Sequence, residues 1–319
     1  MQTYDLPLAE LERYRPRLTA PADFDAFWQE GLAELAAVPM DLRLAPEAYP
    51  ARGVALFAGD YAAVSGRVSV LYAEPTHDAA PRPLPGLVLF HGYNWASEGG
   101  LHDVVRWALA DYATLAMLTR GQQGGGEPGS PHGHSAGWMT QGILEPRAYY
   151  YRHVYLDAVR AVELLAARAN IDATRIGVTG ASQGGGLALA AAALSPQPRA
   201  VVALYPYLCH FERAVDVAPS GPYLEIPEFL RRNGDPALEE RVWRTLALHD
   251  VMNLAPRVKA DALVAIGLVD TITPPSTVFA AFHHLGGAKA IRTYRHFGHE
   301  AMPRFETERL QFLFDRLQA

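Results

Sequence analysis

Val178-Thr179-Gly180-Ala181-Ser182-Gln183-Gly184-Gly185-Gly186 decides how the rest of this chain is read. A short apolar run, 175–178, leads into it, and an alanine- and leucine-rich run, 187–194, leads out. The spacing predicts a strand, a tight turn and a helix, with Ser182 at the apex. Small residues on both sides suit a turn whose backbone angles penalise a Cβ and a helix that passes close to the strand. Two uses of such glycines compete: bending a strand sharply into a helix, or seating a pyrophosphate at a helix N-terminus. A plainer reading makes Ser182 only a helix N-cap.

Outward from this stretch, strands and helices alternate. Upstream, 87–90 is a fully apolar run of the kind buried in a parallel sheet. A helix over 101–110, a strand over 114–118 and a Gly/Pro/His loop from 120 to about 142 follow it. The longest helix, 148–169, carries Tyr151, Val154, Tyr155, Ala158, Val162 and Leu165 on one stripe. Downstream come a strand at 200–204 and a proline-punctuated segment, 206–250, with helices at 227–232 and 236–248. A strand at 262–268, a helix at 275–285, a strand at 290–294 and a closing helix at 300–317 complete the chain. Ahead of all this, 21–37 reads as an amphipathic helix through Phe24, Phe27, Trp28, Leu32 and Leu35. The runs 53–57 and 67–72 read as antiparallel strands. The expected fold is α/β: one domain over 1–319, a mostly parallel sheet flanked by helices, and 206–250 inserted on its working side.

Composition narrows the function classes. The chain has 319 residues, is 50% hydrophobic and carries a net charge of −6 without a basic patch, so nucleic acid and anionic membrane are poor partners. One cysteine, Cys209, excludes an intrachain disulfide and a cysteine-based zinc site. The first fourteen residues carry Asp5, Glu10 and Glu12 and no apolar core of a signal peptide, and no run of about 18 apolar residues occurs. A cytoplasmic protein is expected.

Open α/β sheets place their sites in the loops at strand carboxyl ends. Ser182, Asp270 and His299 each follow a predicted strand, in the order Ser…Asp…His of the α/β-hydrolases. Alone, Asp270 reads as a turn former before Pro274 and His299 as loop chemistry; together they are more specific. A serine hydroxyl is a weak nucleophile until an imidazole takes its proton, and a carboxylate then holds the imidazole's tautomer. Asp250 and Asp261 compete for the acid, but neither sits at a predicted strand's carboxyl end. His296 competes for the base and ranks below His299 because it lies closer to the strand. Acyl transfer also needs two N–H donors for the oxyanion. Gln183, after the nucleophile, and Tyr93, in the His91-Gly92-Tyr93 loop, are the expected pair. The loop pair His132 and His134, with Glu127, has no third strong ligand spaced to close a site, so a metal is not expected there, nor at His283-His284.

These residues bring a resemblance into view. The chain resembles the acetyl xylan esterase / cephalosporin-C deacetylase family, carbohydrate esterase family seven. Arg120-Gly121-Gln122, Gly180-Ala181-Ser182-Gln183-Gly184-Gly185 and His299-Glu300 carry it, with Tyr150-Tyr151-Arg152, Asp157-Ala158-Val159-Arg160 and Pro274-Pro275-Ser276-Thr277 among the further matches. The resemblance implies Ser182 as nucleophile, Asp270 as acid, His299 as base, and Tyr93 and Gln183 as oxyanion donors. It implies that Arg120-Gly121-Gln122 braces the site without joining the chemistry. It also implies deacetylation of small acetylated sugars and of cephalosporin C, no cofactor, and a hexamer built as a trimer of dimers. The chain departs from the pattern at Gln122-Gln123-Gly124-Gly125-Gly126-Glu127, where a glycine directly after Gln122 and a later aspartate are expected.

The rival from another class is a nucleotide-dependent oxidoreductase. Its cofactor loop belongs near the chain start, and neither Lys259 nor Lys289 has a tyrosine four residues before it. A longer-chain carboxylesterase or a peptidase would share the fold and change the substrate.

Overall fold

The computed structural model describes residues 5–77, 83–94, 97–122 and 137–318. Leu84–Phe90 (β4) and Ala113–Met117 (β5) are buried along their whole length. A strand covered on both faces needs a nearly continuous apolar run, and Thr114 is the one polar residue in the two. With Leu42–Glu47 (β1), Val54–Ala62 (β2), Arg67–Pro75 (β3), Ile171–Ala181 (β6), Pro198–Leu204 (β7), Asp261–Gly267 (β8) and Lys289–Tyr294 (β9), they form one nine-stranded sheet. Its order is β1-β2-β3-β5-β4-β6-β7-β8-β9. The pairs β1–β2, β2–β3 and β3–β5 are antiparallel, and every pair from β5–β4 to β8–β9 is parallel.

The helices are Leu8–Leu11 (α1), Phe24–Ala36 (α2), Ser97–Ala108 (α3), Tyr150–Ala166 (α4), Gln183–Leu194 (α5), Phe211–Val217 (α6), Glu225–Asn233 (α7), Pro236–His249 (α8), Val251–Leu254 (α9), Pro275–His284 (α10) and Phe305–Leu317 (α11). Two glycines show how they cover the sheet. Gly86 pairs with Ile176 and its missing Cβ would meet Leu165 of α4; the next pair is Leu87–Gly177, and a Cβ on Gly177 would meet Leu317 of α11. Successive positions point to opposite faces, so α4 and α11 cover opposite faces. Helix α5 packs beside α4, while α3 lies with α11, joined by Arg106 Nη1 to Glu306 Oε2 at 3.0 Å. The chain passes from β4 to β5 on one side, then crosses back to β6 on the other. The crevice for a ligand in such sheets opens at this reversal, outside the carboxyl ends of β4 and β6.

The expected elements are present, with differences at places where local pattern is weak. Strand β1 reads Leu-Arg-Leu-Ala-Pro-Glu and lacks an apolar run; it is an edge strand, where proline is tolerated, and its pairing with β2 defines it. Helix α6 has seven residues and no cap of its own. The carboxylate of Asp250 accepts the N–H groups of His210 and Phe211 at 2.7 and 2.9 Å, from about forty positions away. The closing helix begins at Phe305 rather than 300, because Pro303 and a left-handed Arg304 (φ 63°) precede it.

Helix α8 ends on His249, fully buried beside Phe27, Trp28 and Tyr149 at centroid distances of 5.3, 5.4 and 4.9 Å. Its Nδ1–H donates to Thr245 O at 2.7 Å, and its Nε2 has no partner among the described residues. Burial drives its pKa down to about 3. An unfolded histidine titrates near 6.5, so below that pH only the unfolded chain takes up this proton and stability falls. Between pH 7 and pH 5 the loss from this residue is about 2 kcal/mol. Urea midpoints should therefore drop across that interval, and the drop should shrink in His249→Phe. An equal drop in the variant would place the acid sensitivity elsewhere.

Candidate active site

Strand β6 delivers Ser182 to the reversal point. Ser182 adopts φ 57° and ψ −122°, a conformation costing about 1–3 kcal/mol that the surrounding packing must hold. The reason is the closeness of the helix. A Cβ at Gly184 would lie 1.9 Å from Phe90 O of β4, and one at Gly180 would lie 2.4 Å from the Gly184 carbonyl carbon. Ser182 N–H donates to Leu204 O at 2.9 Å, and its carbonyl accepts from Tyr207 N at 2.9 Å. The side chain makes no cap hydrogen bond although it stands at the head of α5. The N-cap reading of this serine therefore does not hold.

Asp270 follows β8 and is fully buried. Its Oδ1 accepts from Ile272 N and Thr273 N, both at 2.9 Å, so it does form the turn its sequence suggests. Its Oδ2 accepts from Thr273 Oγ1 at 2.8 Å and from His299 Nδ1 at 2.8 Å. One carboxylate thus serves the turn and the imidazole. His299 lies beyond β9 with its ring 4.3 Å, centroid to centroid, from that of Tyr205. Tyr205 adjoins Leu204, the residue that anchors Ser182 N. No Ser182–His299 hydrogen bond forms among the described residues; such contacts are commonly long until the Michaelis complex forms. His296 is exposed. Asp250 is committed to backbone N–H groups at the head of α6 and α9, and Asp261 pairs with Arg316 at 3.0 Å at the start of β8, away from the carboxyl ends.

Beyond β4, His91 stitches two strand ends together. Its Nε2 accepts from Thr119 N at 2.8 Å and its Nδ1 donates to Gly92 O at 2.7 Å, while burial lowers its pKa and keeps it neutral. Tyr93 follows. Neither the Tyr93 nor the Gln183 N–H is engaged by a backbone carbonyl among the described residues. The side chain of Gln183 is buried against Gln122: each amide nitrogen donates to the other's oxygen, at 2.9 and 3.0 Å. Gln122 Oε1 also accepts from Asn94 N at 3.0 Å, its Nε2 donates to Tyr150 OH at 3.1 Å, and Tyr151 OH donates to Gln183 Oε1 at 2.9 Å. All four hydrogen-bonding positions of the Gln122 amide are used. Arg120 holds Asp157 of α4 in a fork, with Nε and Nη2 each 2.7 Å from a carboxylate oxygen, and Asp157 is 1% exposed. Breaking such a buried pair from one side costs about 3–5 kcal/mol.

His132, His134, Glu127 and the departure after Gln122 lie outside the described residues. His283 and His284 direct Nε2 to Leu11 O and Pro16 O, at 3.2 and 2.8 Å, and so fasten the N-terminal segment. Among the described residues no group of three His, Cys, Asp or Glu side chains could hold a metal ion, and no helix is long and apolar enough to cross a membrane. A cavity of about 310 Å³ lies on the α3/α11 face, behind Gly180, Ala181 and Tyr205; Ser182, Asp270 and His299 are not among its walls.

Sequence reasoning gave no role to Tyr205, Thr273, Asn94, Asp157 or Glu225. Asp157 offered one signal, an acid in the middle of a long and largely apolar helix, which calls for a cationic partner if buried. The others are brought in by loops whose course no local pattern describes.

The arrangement has relatives. A model of the acetyl xylan esterase family matches residues 1–316. The acetyl xylan esterase from Paenibacillus sp. R4 is 41% identical, with a TM-score of 0.91 over 98% of this chain and 100% of that one. Acetyl xylan esterase 1 from Thermoanaerobacterium sp. JW/SL YS485 is 33% identical, with a TM-score of 0.89 over 98% and 99%. The acetyl esterase Axe7A of Xylanibacter ruminicola is 32% identical over 153 residues, 48% of this chain; the match spans 34% of Axe7A, about a third of its length.

Proposed function

The chain belongs to the acetyl xylan esterase family, and on that premise we propose that it is a serine esterase removing acetyl groups from small acetylated sugars and from cephalosporin C. The observation that carries the site reading is the bond from His299 Nδ1 to a buried Asp270 oxygen, one loop away from a serine held in a strained turn. In this reading Ser182 Oγ attacks the acetyl carbonyl carbon while His299 Nε2 takes its proton. Asp270 keeps the proton on Nδ1 and stabilises the imidazolium that forms. The Tyr93 and Gln183 N–H groups meet the oxyanion, each worth about 2.7–4 kcal/mol. The sugar oxygen leaves with the proton from His299, giving acetyl-Ser182 and the free alcohol. Water, deprotonated by His299, then adds to the acetyl carbon, and collapse releases acetate and restores Ser182. No step calls for a metal or an organic cofactor. Arg120-Gly121-Gln122 braces the site, with Gln122 gripping both Asn94 N and the Gln183 side chain.

A series of nitrophenyl esters from acetate to octanoate tests the acyl preference. A sharp fall in kcat/KM beyond propionate is expected. A maximum at longer chains would instead favour the longer-chain carboxylesterase, and turnover of peptide substrates would favour the peptidase. A single domain over 1–319 and a cytoplasmic location belong to the same proposal. So does the hexamer, with 206–250 and the N-terminal strands as contact surfaces; β1 is an edge of the sheet. A monomer by light scattering at micromolar concentration would sink the assembly.

A further inference from the structure

Glu225 opens α7, in the segment inserted after β7 and 132 positions from Tyr93. Its Oε1 accepts the Tyr93 hydroxyl at 2.8 Å, and its Oε2 accepts Met139 N at 3.1 Å. The Tyr93 oxygen in turn accepts Trp138 N at 3.2 Å, and Trp138 Nε1 donates to Asn94 Oδ1 at 3.1 Å. One carboxylate therefore ties the inserted segment to the loop after β4 and to the chain entering from 137. Burial, and after it the neighbouring Glu225 charge, push the Tyr93 phenol far above its ordinary pKa, so it stays a donor to that carboxylate.

The consequence falls on the backbone. Tyr93 is held through its phenol by Glu225, and the next residue is held through its N–H by Gln122 and through its side chain by Trp138. Turning the Tyr93 N–H away requires breaking these links together. We propose that Glu225 is a positioning residue for ester hydrolysis: it aims the Tyr93 N–H by fixing the Tyr93 phenol, and through it the inserted segment takes part in building the oxyanion site. This rests on the oxyanion reading given above. A displacement of about 1 Å at such a site can cost about 100-fold in rate, and loss of one donor about 10²–10³ in kcat.

The test compares kcat and KM for 4-nitrophenyl acetate in Glu225→Ala, Tyr93→Phe and the double variant. Tyr93→Phe keeps the backbone N–H and the ring and removes the hydroxyl's bonds to Glu225 and Trp138 N, so it reads the inference even where Glu225→Ala folds poorly. Each single variant is expected to lose about tenfold or more in kcat with KM within about twofold. The double variant should be no worse than the worse single, because both singles already break the shared Glu225–Tyr93 bond. Glu225→Gln, whose amide oxygen still accepts from Tyr93, should recover part of the loss. Losses that multiply in the double variant, a loss confined to KM, or Tyr93→Phe within about twofold of the parent would each overturn the inference. Gln122→Ala separates this from the reading beneath it. If Gln122→Ala lowers kcat while the Glu225 and Tyr93 variants do not, only the role of Glu225 fails. If none of the three lowers kcat while Ser182→Ala is inactive, the Tyr93 oxyanion assignment fails.

Discussion

Ser182→Ala is expected to lower kcat on 4-nitrophenyl acetate about 10⁶-fold, the loss found when a catalytic serine is removed from a comparable site. The size follows from the chemistry. Without Oγ there is no acyl-enzyme, and the oxyanion donors alone leave about 10³–10⁴-fold over water. The substitution removes one oxygen from a residue whose backbone is held at N by Leu204 O and at O by Tyr207 N, so the turn has reason to survive. The mild version of this result would be as informative. A variant within about tenfold of the parent takes Ser182 out of the mechanism and leaves its strained backbone without a catalytic purpose.

His299→Ala is expected to fall nearly as far, whereas His296→Ala should keep most of the activity. Groups that act as one unit show similar losses when either is removed. The two histidines are three residues apart, and their surroundings separate them. His299 Nδ1 meets a buried carboxylate at 2.8 Å and its ring packs on Tyr205, while His296 is exposed. Equal large losses in both variants would mean that the loop after β9 acts as a whole. Loss in His296→Ala alone would reverse the assignment of the base.

Much of this was legible along the chain because it is local chemistry. Gly180, Gly184 and the apolar runs beside them describe a strand bent hard into a helix, and the contacts that forbid a Cβ at those glycines are what the turn needs. The alternation after 86 describes a mostly parallel sheet, since parallel neighbours need crossover connections and these are usually helices. What escaped was set by distant partners. Strand β1 is a strand because β2 lies beside it, and α6 starts where a carboxylate from Asp250 reaches its first N–H groups.

The sequence by itself determined the kind of fold, the order Ser182, Asp270, His299 along the chain and the membership in its family. Periodicity, turn chemistry and residue identity are written in order along a chain, and those features depend on little else. Only the tertiary structure decided that Asp270 rather than Asp250 meets an imidazole ring and that the ring is that of His299 rather than His296. It also decided that Gln122 and Glu225 grip the loop of Tyr93 from two sides. A hydrogen bond reaches about 3 Å, and which groups come that close depends on how the sheet reverses at β4 and β6.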